Sequence, residues 1–422
     1  MTLDSGWDRL DRLPLRSKRT EAERAEASRV RESLLAETGR LARSKRREIY
    51  DRLTDRRTQR IRVDDLLYRA AELWPGLVPT REEVAREAER MQMDKDGREI
   101  QQGILVSELL SDPEIGAHLV SSMLAPMEEA RAKLPELEAR GAIDLGAARV
   151  EARGEVGFVF MKHPRFLNAE DDETVGPLEV AIDLVLLHPG LKMGVLRGDF
   201  VEHPKYAGRR IFSSGINLTR LYHGKISYLF YLVRDLGLVH KLYRGLALET
   251  QSLDGLETTL EKPWMAVVDG FAIGGGCQIL LVVDYVIAEE GSYFNLPARK
   301  EGIIPGAANL RLPRFMSERM ARQAILFDRT FRVDEEDAKT LVNEVHPSEE
   351  LDAAAERAVA NALDSGMVSA SGNRKALRVQ LEPLDTFRRY MATYAREQAY
   401  CQLSDQLIVN LEKHWQAKKR KL

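Results

Sequence analysis

Apolar positions along the chain change their rhythm twice. Up to residue 145 they recur at helical spacing inside runs of mixed charge. TEAERAEASRVRESLLAETGRLARSKRREIYDRL and REEVAREAERM predict helices with charges of both signs on their outer faces, and ILVSELL and HLVSSMLAPM supply apolar faces for packing. From about 146, short apolar runs that break at glycine replace this pattern. ARVEAR and VGFVFMKH flank Gly154 as a strand–turn–strand hairpin, and TVGPLEVAIDLVLLH predicts an amphipathic helix opened by Thr174. MGVLRG and RRIFSSG read as strands, and NLTRL starts a helix. PWMAVVDG is a further strand, running through FAIGGG into an apolar helix, CQILLVVDYVIA. The unit is strand, strand, helix. From about 315 helix returns with SERMARQAILFD, EEDAKTLV and LDAAAERAVANAL, and continues to HWQAKKRKL. The expected division is a helical N-terminal domain over 1–145, an α/β core over 146–315 and a helical C-terminal oligomerisation region over 316–422.

Composition narrows the function classes. With 66 acidic and 63 basic residues among 422, the net charge is −3, without the basic excess of a general nucleic-acid binder. No apolar run approaches a membrane span, and the charged start MTLDSGWDRLDRL lacks the core of a signal peptide. Cys277 and Cys401 lie far apart and form neither a ligand spacing nor a disulfide framework. A soluble protein of a reducing cytoplasm is expected. The arginines at 56, 57, 60 and 62 read as a solvated helix face. DKDGREI at 94–100 reads as a turn, because it lacks the later ligands of a calcium loop.

The glycine triplet in FAIGGGCQIL asks for a bare main chain at close quarters. It is not a P-loop: Gly270 and Gly275 have the spacing, but Gly276 and Cys277 stand where Lys and Ser or Thr belong. It is not a dinucleotide fingerprint, since Ile279 takes the last glycine position. There is no GxSxG, no HExxH and no metal-like histidine cluster, so no metal or tightly bound cofactor is expected. What is left is a strand that ends at glycines before a helix whose first N–H groups have no intrahelical partner. FSSGINL at 212–218 offers a second such junction, with an N–H at Ile216. Two N–H groups of this kind can stabilise an oxyanion, each donor being worth ~3–4 kcal/mol. A purely structural turn accounts for the glycines equally well on these grounds.

Taken together, the two junctions resemble the signature stretches of the crotonase (enoyl-CoA hydratase/isomerase) superfamily: FSSGINL resembles FSAGADL, and VVDGFAIGGGCQIL resembles VNGxAxGGGxEL. LNA at 167–169, FNLPARKEGIIPGAANLRLPR at 294–314 and LVNEV at 341–345 match further blocks in order, over about 148–346. The resemblance implies a crotonase-like spiral of ββα repeats, an acyl-CoA thioester substrate, assembly as a trimer or dimer of trimers, and an oxyanion hole from the backbone N–H groups of Ile216 and Gly275. The departures matter as much. Where hydratases of the family carry two glutamates, this chain has Gln278 and Ala298. An amide and a methyl can neither activate water nor protonate carbon, although Gln278 can still orient a substrate.

One branch shares these departures, the cofactor-independent 3,5-dihydroxyphenylacetyl-CoA 1,2-dioxygenases of glycopeptide-antibiotic pathways. The chain is similar to them in its helical N-terminal extension, HPKYAGRRIFSSGINL, GGGCQ and LNAEDDETV. That resemblance implies conversion of the arylacetyl thioester and O2 to an arylglyoxylate and free CoA. CoA is then part of the substrate and O2 a co-substrate. An arylacetyl thioester has an acidic α-carbon, and its enolate can reduce O2 directly in a dry pocket. Ile216, Leu218, Ile303 and Ile304 are the expected apolar liners. Arg234 interrupts the apolar stretch ISYLFYLVRDLGLV, and Glu170 follows LNA where relatives have an apolar residue. Both are candidates for the substrate's ring hydroxyls. CoA contacts are expected from Arg165 to Ala169 and from Lys205, Arg209 and Arg210. Cys277 reads as apolar filler. The competing readings are a crotonase-fold thioesterase or isomerase, and an acyl-CoA-binding scaffold without activity.

Overall fold

The computed structural model describes residues 3–248 and 259–422. Its first long helix, α1 (Glu21–Leu53), opens on a capping box. The Thr20 side chain accepts from the Glu23 N–H, and the Glu23 carboxylate accepts from the Thr20 N–H. α2 (Ile100–Ser111) is buried over its first eleven residues. It lies against the C-terminal helix so closely that a Cβ on Gly103 would sit 2.6 Å from the Ala399 Cβ. The DKDGREI stretch is a tight connection from a 3₁₀ turn, Gln92–Asp94, into α2.

The hairpin about Gly154 is present as β2 (Ala148–Arg153) and β3 (Val156–Met161), preceded by β1 (Ala142–Asp144). Helix α3 (Val175–Leu187) is buried from Leu178 through Leu186 rather than on one face, because it lies between the strands and the N-terminal helices. β4 (Met193–Gly198) and β5 (Trp264–Val268) are parallel neighbours. All five residues of β5 are buried, as a central parallel strand requires. After β5 the chain turns at Gly270 (φ +70°) into β6 (Phe271–Ile273).

The predicted helix over CQILLVVDYVIA is a correction. The helix stops at Leu280, and Tyr285–Glu289 is strand β7. A β-branched run, VVDYVI, competes with helix here, and parallel pairing with β5 decides it. RRIFSSG is likewise not a regular strand. It joins its neighbours through single bridges, Phe200 to Arg210 and Ser213 to Ala272. EEDAKTLV gives a 3₁₀ turn, Glu336–Thr340.

β8 (Tyr293–Asn295), β9 (Thr330–Arg332) and β10 (Glu344–His346) complete two sheets. The larger has the order β1-β2-β3-β4-β5-β7-β10, and the smaller β6-β8-β9. The chain therefore alternates: β5 in the large sheet, β6 in the small one, a helix, then β7, β8 and a helix again. This is the expected ββα spiral. One continuous apolar core runs from Leu35 in α1 through the strands to Ala417. The helical ends thus share the core of the spiral, and the N-terminal helices brace it by charge as well. Arg62 donates to both carboxylate oxygens of Glu179 on α3 at 2.9 and 2.8 Å, and Lys241 bridges Glu179 and Asp183 at 2.7 Å each.

Candidate active site

Each of the three glycines has its own reason. Gly274 has φ +52° and ψ −113°, outside the range of L side chains. A Cβ on Gly275 would lie 1.7 Å from Glu170 Oε2 and 2.8 Å from Arg234 Nη2. A Cβ on Gly276 would meet the Ser213 Cβ at 2.8 Å. What approaches the bare main chain is thus an ion pair on one side and the FSSGINL segment on the other. That segment lies between two loops. Ser213 bridges Ala272, and Ile216 bridges Glu170 through Glu170 N–H to Gly215 O and Asn217 N–H to Glu170 O, both 2.8 Å. In extended chain the N–H of residue 216 points away from those bonds. Gly215 presses on the glycine loop: a Cβ there would be 3.3 Å from the Gly275 nitrogen. Among the described residues, neither the Ile216 nor the Gly275 amide donates to a protein acceptor.

Both residues line one narrow cavity of about 30 Å³, with Glu170, Tyr231, Arg234, Asp235, Gln278, Ala298, Glu301, Ile303, Ile304 and Tyr394 among the other walls. Leu218, expected here, is buried in the general core and is not a wall residue. Arg234 is buried, and the interruption of its apolar stretch is explained by partners. Its Nε donates to both Glu170 oxygens at 3.0 Å, Nη1 to Asp235 Oδ1 at 2.8 Å and Gln278 Oε1 at 2.7 Å, and Nη2 to Gly275 O at 2.8 Å. These bonds leave one Nη2 hydrogen alone uncommitted. Burial alone would lower the pKa of Arg234, but the charges of Glu170 and Asp235 hold it above the usual value. Glu170 is pushed upward by burial, against the pull of Arg234.

Two consecutive charged residues reach this cavity because Arg234–Leu238 is a single π-helical turn, inserted between the helices Tyr228–Val233 and Val239–Arg244. Gly237 makes the turn possible, since a Cβ there would lie 2.8 Å from Glu179 Oε1. The N-terminal helices position its start: Glu99 Oε1 accepts from the Tyr228 N–H at 2.7 Å. Gln278 shows why an amide suits the place after GGGC. Its oxygen accepts from Arg234, which leaves the NH2 end free to donate. The Cys277 thiol is pushed up to about 12 by burial, which removes it as a nucleophile.

The expected CoA contacts are not cavity walls. Arg165 donates to the main-chain oxygen of Leu422 at 2.7 Å, and Ala169 is buried with its carbonyl 3.0 Å from His163 Nδ1. Arg209 pairs with Glu289 at 2.5 Å, and Arg210 pairs with Asp199 at 3.0 Å while lying over the Phe200 ring. Lys205 is exposed over the Tyr206 ring. The Leu167–Asn168 pair is left-handed (φ 56° and 54°) and is held there by Asn168, which donates to the carbonyls of Asp199 and Ile211. Sequence reasoning missed Asp235, Glu301, Tyr231 and Tyr394. Tyr394 comes from the helix Leu384–Gln402, so the C-terminal region closes the cavity and is not only a surface for assembly. Gln398 of the same helix accepts from the Ile304 N–H at 2.8 Å.

The chain matches the enoyl-CoA hydratase/isomerase family model over residues 206–407. It is 48% identical to a (3,5-dihydroxyphenyl)acetyl-CoA 1,2-dioxygenase of Amycolatopsis orientalis over 92% of this chain and 89% of that one. The chain belongs to the crotonase family. A short-chain-enoyl-CoA hydratase of Clostridium acetobutylicum is 30% identical across 51% of this chain and 74% of its own length. Among solved structures, an enoyl-CoA hydratase from Mycobacterium avium subsp. paratuberculosis superposes with a TM-score of 0.52 at 22% identity, covering 64% of this chain and 98% of that one. The hydratase likenesses stop short of the full chain. The Amycolatopsis likeness spans the crotonase core and most of both helical ends. Among the described residues no group of His, Cys, Asp or Glu side chains could hold a metal ion, and no helix is long and apolar enough to cross a membrane.

Proposed function

We propose that the protein converts (3,5-dihydroxyphenyl)acetyl-CoA and O2 to 3,5-dihydroxyphenylglyoxylate and CoA. The observation that carries this reading is the pair of main-chain amides, Ile216 and Gly275, without protein acceptors on the wall of a cavity that has lost the two carboxylates of the hydratases. The thioester oxygen accepts from both amides, and loss of an α-proton leaves its charge there as an enolate. The enolate carbon gives electrons to O2, and a C–O bond forms. The peroxide then adds to the thioester carbonyl and CoA leaves as thiol, with one proton for the α-hydrogen removed first; the second α-hydrogen leaves as a proton while the O–O bond breaks, which yields the keto acid as its carboxylate. Ile216, Ile303 and Ile304 keep water from the carbanion. The Glu170–Arg234 pair faces the ring hydroxyls with its spare lone pairs and its one spare N–H, and Gln278 donates through its amide. Arg165, Ala169, Lys205, Arg209 and Arg210 belong to the outer path of the CoA moiety in this reading.

Self-association as a trimer or dimer of trimers goes with this function, and so does a cytoplasmic location. The exposed apolar residues Val368, Leu377, Val379 and Leu381 support the former. Oxygen uptake on mixing with (3,5-dihydroxyphenyl)acetyl-CoA, with a chelator present, tests the reading. Uptake with release of the keto acid is expected. Release of the plain arylacetate without uptake identifies a thioesterase instead, a rearranged thioester identifies an isomerase, and thioester binding without turnover identifies a scaffold.

A further inference from the structure

The cavity is lined by two acidic residues that the scheme above does not use, Asp235, which is tied to Arg234, and Glu301. Glu301 ends the short helix Ala298–Glu301 and is 4% exposed. It lines the same cavity as Ile216, Gly275 and Gln278. Among the described residues its carboxyl has no hydrogen-bond or ion-pair partner. The other ionisable groups facing the cavity differ. Glu170 is tied to Arg234, Arg234 to three acceptors besides, Asp235 to Arg234, and Tyr394 to Asp235. Asp328, the charge felt by Glu301, is of the same sign and is itself paired with Lys300. Tyr231 is the exception: it faces the cavity too, and among the described residues its buried hydroxyl has no partner. A carboxyl buried without a cation costs stability that nothing nearby repays.

Its position has a simple relation to the residues lost. Glu301 is three residues after Ala298, and residues three apart share a helix face. Ala298 occupies the place where the family's hydratases carry a glutamate. We propose that Glu301 is the general base that takes the α-proton of the bound arylacetyl thioester. The inference rests on the substrate class proposed above. In the step, an α C–H bond breaks, its proton passes to a Glu301 carboxylate oxygen, and the electron pair enters the enolate held by the Ile216 and Gly275 amides. No electron acceptor is needed. Burial raises Glu170 as well, but both of its oxygens already accept from Arg234, whose cation pulls against that rise. Burial pushes the Glu301 carboxyl up to about 8, closer to the basicity a carbon acid requires.

Exchange of the α-hydrogens of (3,5-dihydroxyphenyl)acetyl-CoA with D2O, followed without O2 by NMR, isolates this step from oxygen chemistry. The wild-type protein is expected to exchange them, with a rate that rises toward pH 8 as Glu301 ionises. Glu301→Gln is expected to slow exchange by at least about 100-fold while thioester binding changes less than about threefold, and Glu301→Asp to restore part of it. No exchange by the wild type, or wild-type exchange by Glu301→Gln, overturns the assignment. Oxygen uptake is measured separately. Exchange that depends on Glu301 without any uptake leaves the base in place and refutes the dioxygenase reading.

Discussion

Arg234 Nε lies 3.0 Å from both carboxylate oxygens of Glu170, and both side chains are almost wholly buried. The pair stands over the Gly275 Cα and leaves no room there for a Cβ, which is the structural reason for the second glycine of the triplet. Removing one member leaves the other charged in the interior. Arg234→Ala is expected to cost ~3–5 kcal/mol of unfolding free energy. The paired replacement Arg234→Met with Glu170→Leu is expected to recover part of that loss, because Asp235 stays buried without its cation. Denaturant titration of the three proteins checks it, and equal losses in the single and double variants would remove the pair from the stability account.

Glu170→Gln keeps the shape and removes the charge. Its expected effect is on selectivity: kcat/KM for the 3,5-dihydroxylated thioester falls by at least about tenfold relative to phenylacetyl-CoA, the size of one charge-assisted hydrogen bond. Steady-state rates with the two thioesters measure this. An unchanged ratio would take Glu170 out of ring recognition.

Gly275→Ala places a methyl 1.7 Å from Glu170 Oε2, and neither the paired carboxylate nor the loop can yield without moving the amide itself. Turnover is expected to fall by at least about 100-fold, as when an oxyanion donor is lost. Gly176→Ala serves as the control. It sits in the helix Val175–Leu187 with nothing within 4 Å of the added Cβ, and it should keep full turnover and a melting temperature at or above the wild type's.

Gly237→Ala acts at a distance. The added Cβ would be 2.8 Å from Glu179 Oε1, and Glu179 cannot retreat because Arg62 and Lys241 hold it. The π turn must move instead, carrying Arg234 and Asp235 with it. Turnover is expected to fall more than about tenfold with the fold retained by circular dichroism. Wild-type turnover would show that the turn tolerates displacement.

The spiral was legible in the sequence because its strands end at glycines with local reasons for being there. The two abutting junctions were legible because FSSGINL and FAIGGG each break an apolar run. CQILLVVDYVIA failed as one long helix because propensity could not see the parallel pairing of Tyr285–Glu289 with β5. Arg234 stood out as a polar residue in an apolar stretch, but its partners Asp235, Gln278 and the Gly275 carbonyl meet it only through the π turn and the folding of distant loops. Tyr394, beyond the last motif block at 341–345, carries no local signal. Glu301 does carry one, three residues past the alanine that replaces a glutamate, but a charged residue in ARKEG reads as a surface position until its burial is known.

Glu301 also makes a prediction about stability. Burial, with Asp328 adding to it, raises the native value to about 8 from 4.5. The native protein therefore binds a proton that the unfolded chain releases between those two pH values. This contribution is fully present below about pH 4.5, falls as pH rises through the window and is gone above about pH 8. Other buried carboxyls titrate in the same range, Glu87 at about 7 and Asp183 at about 6. The wild-type curve alone is thus uninformative, and the difference from Glu301→Gln isolates the group. Relative to the wild type, Glu301→Gln should gain stability from pH 5 to about pH 8 and level off by pH 9, by a few kcal/mol in total. Urea midpoints at four pH values across that span suffice. A difference that stays flat with pH would mean that Glu301 is ionised throughout, with a cation or solvent beside it, and its standing as an unpaired carboxyl in the cavity would fall with it.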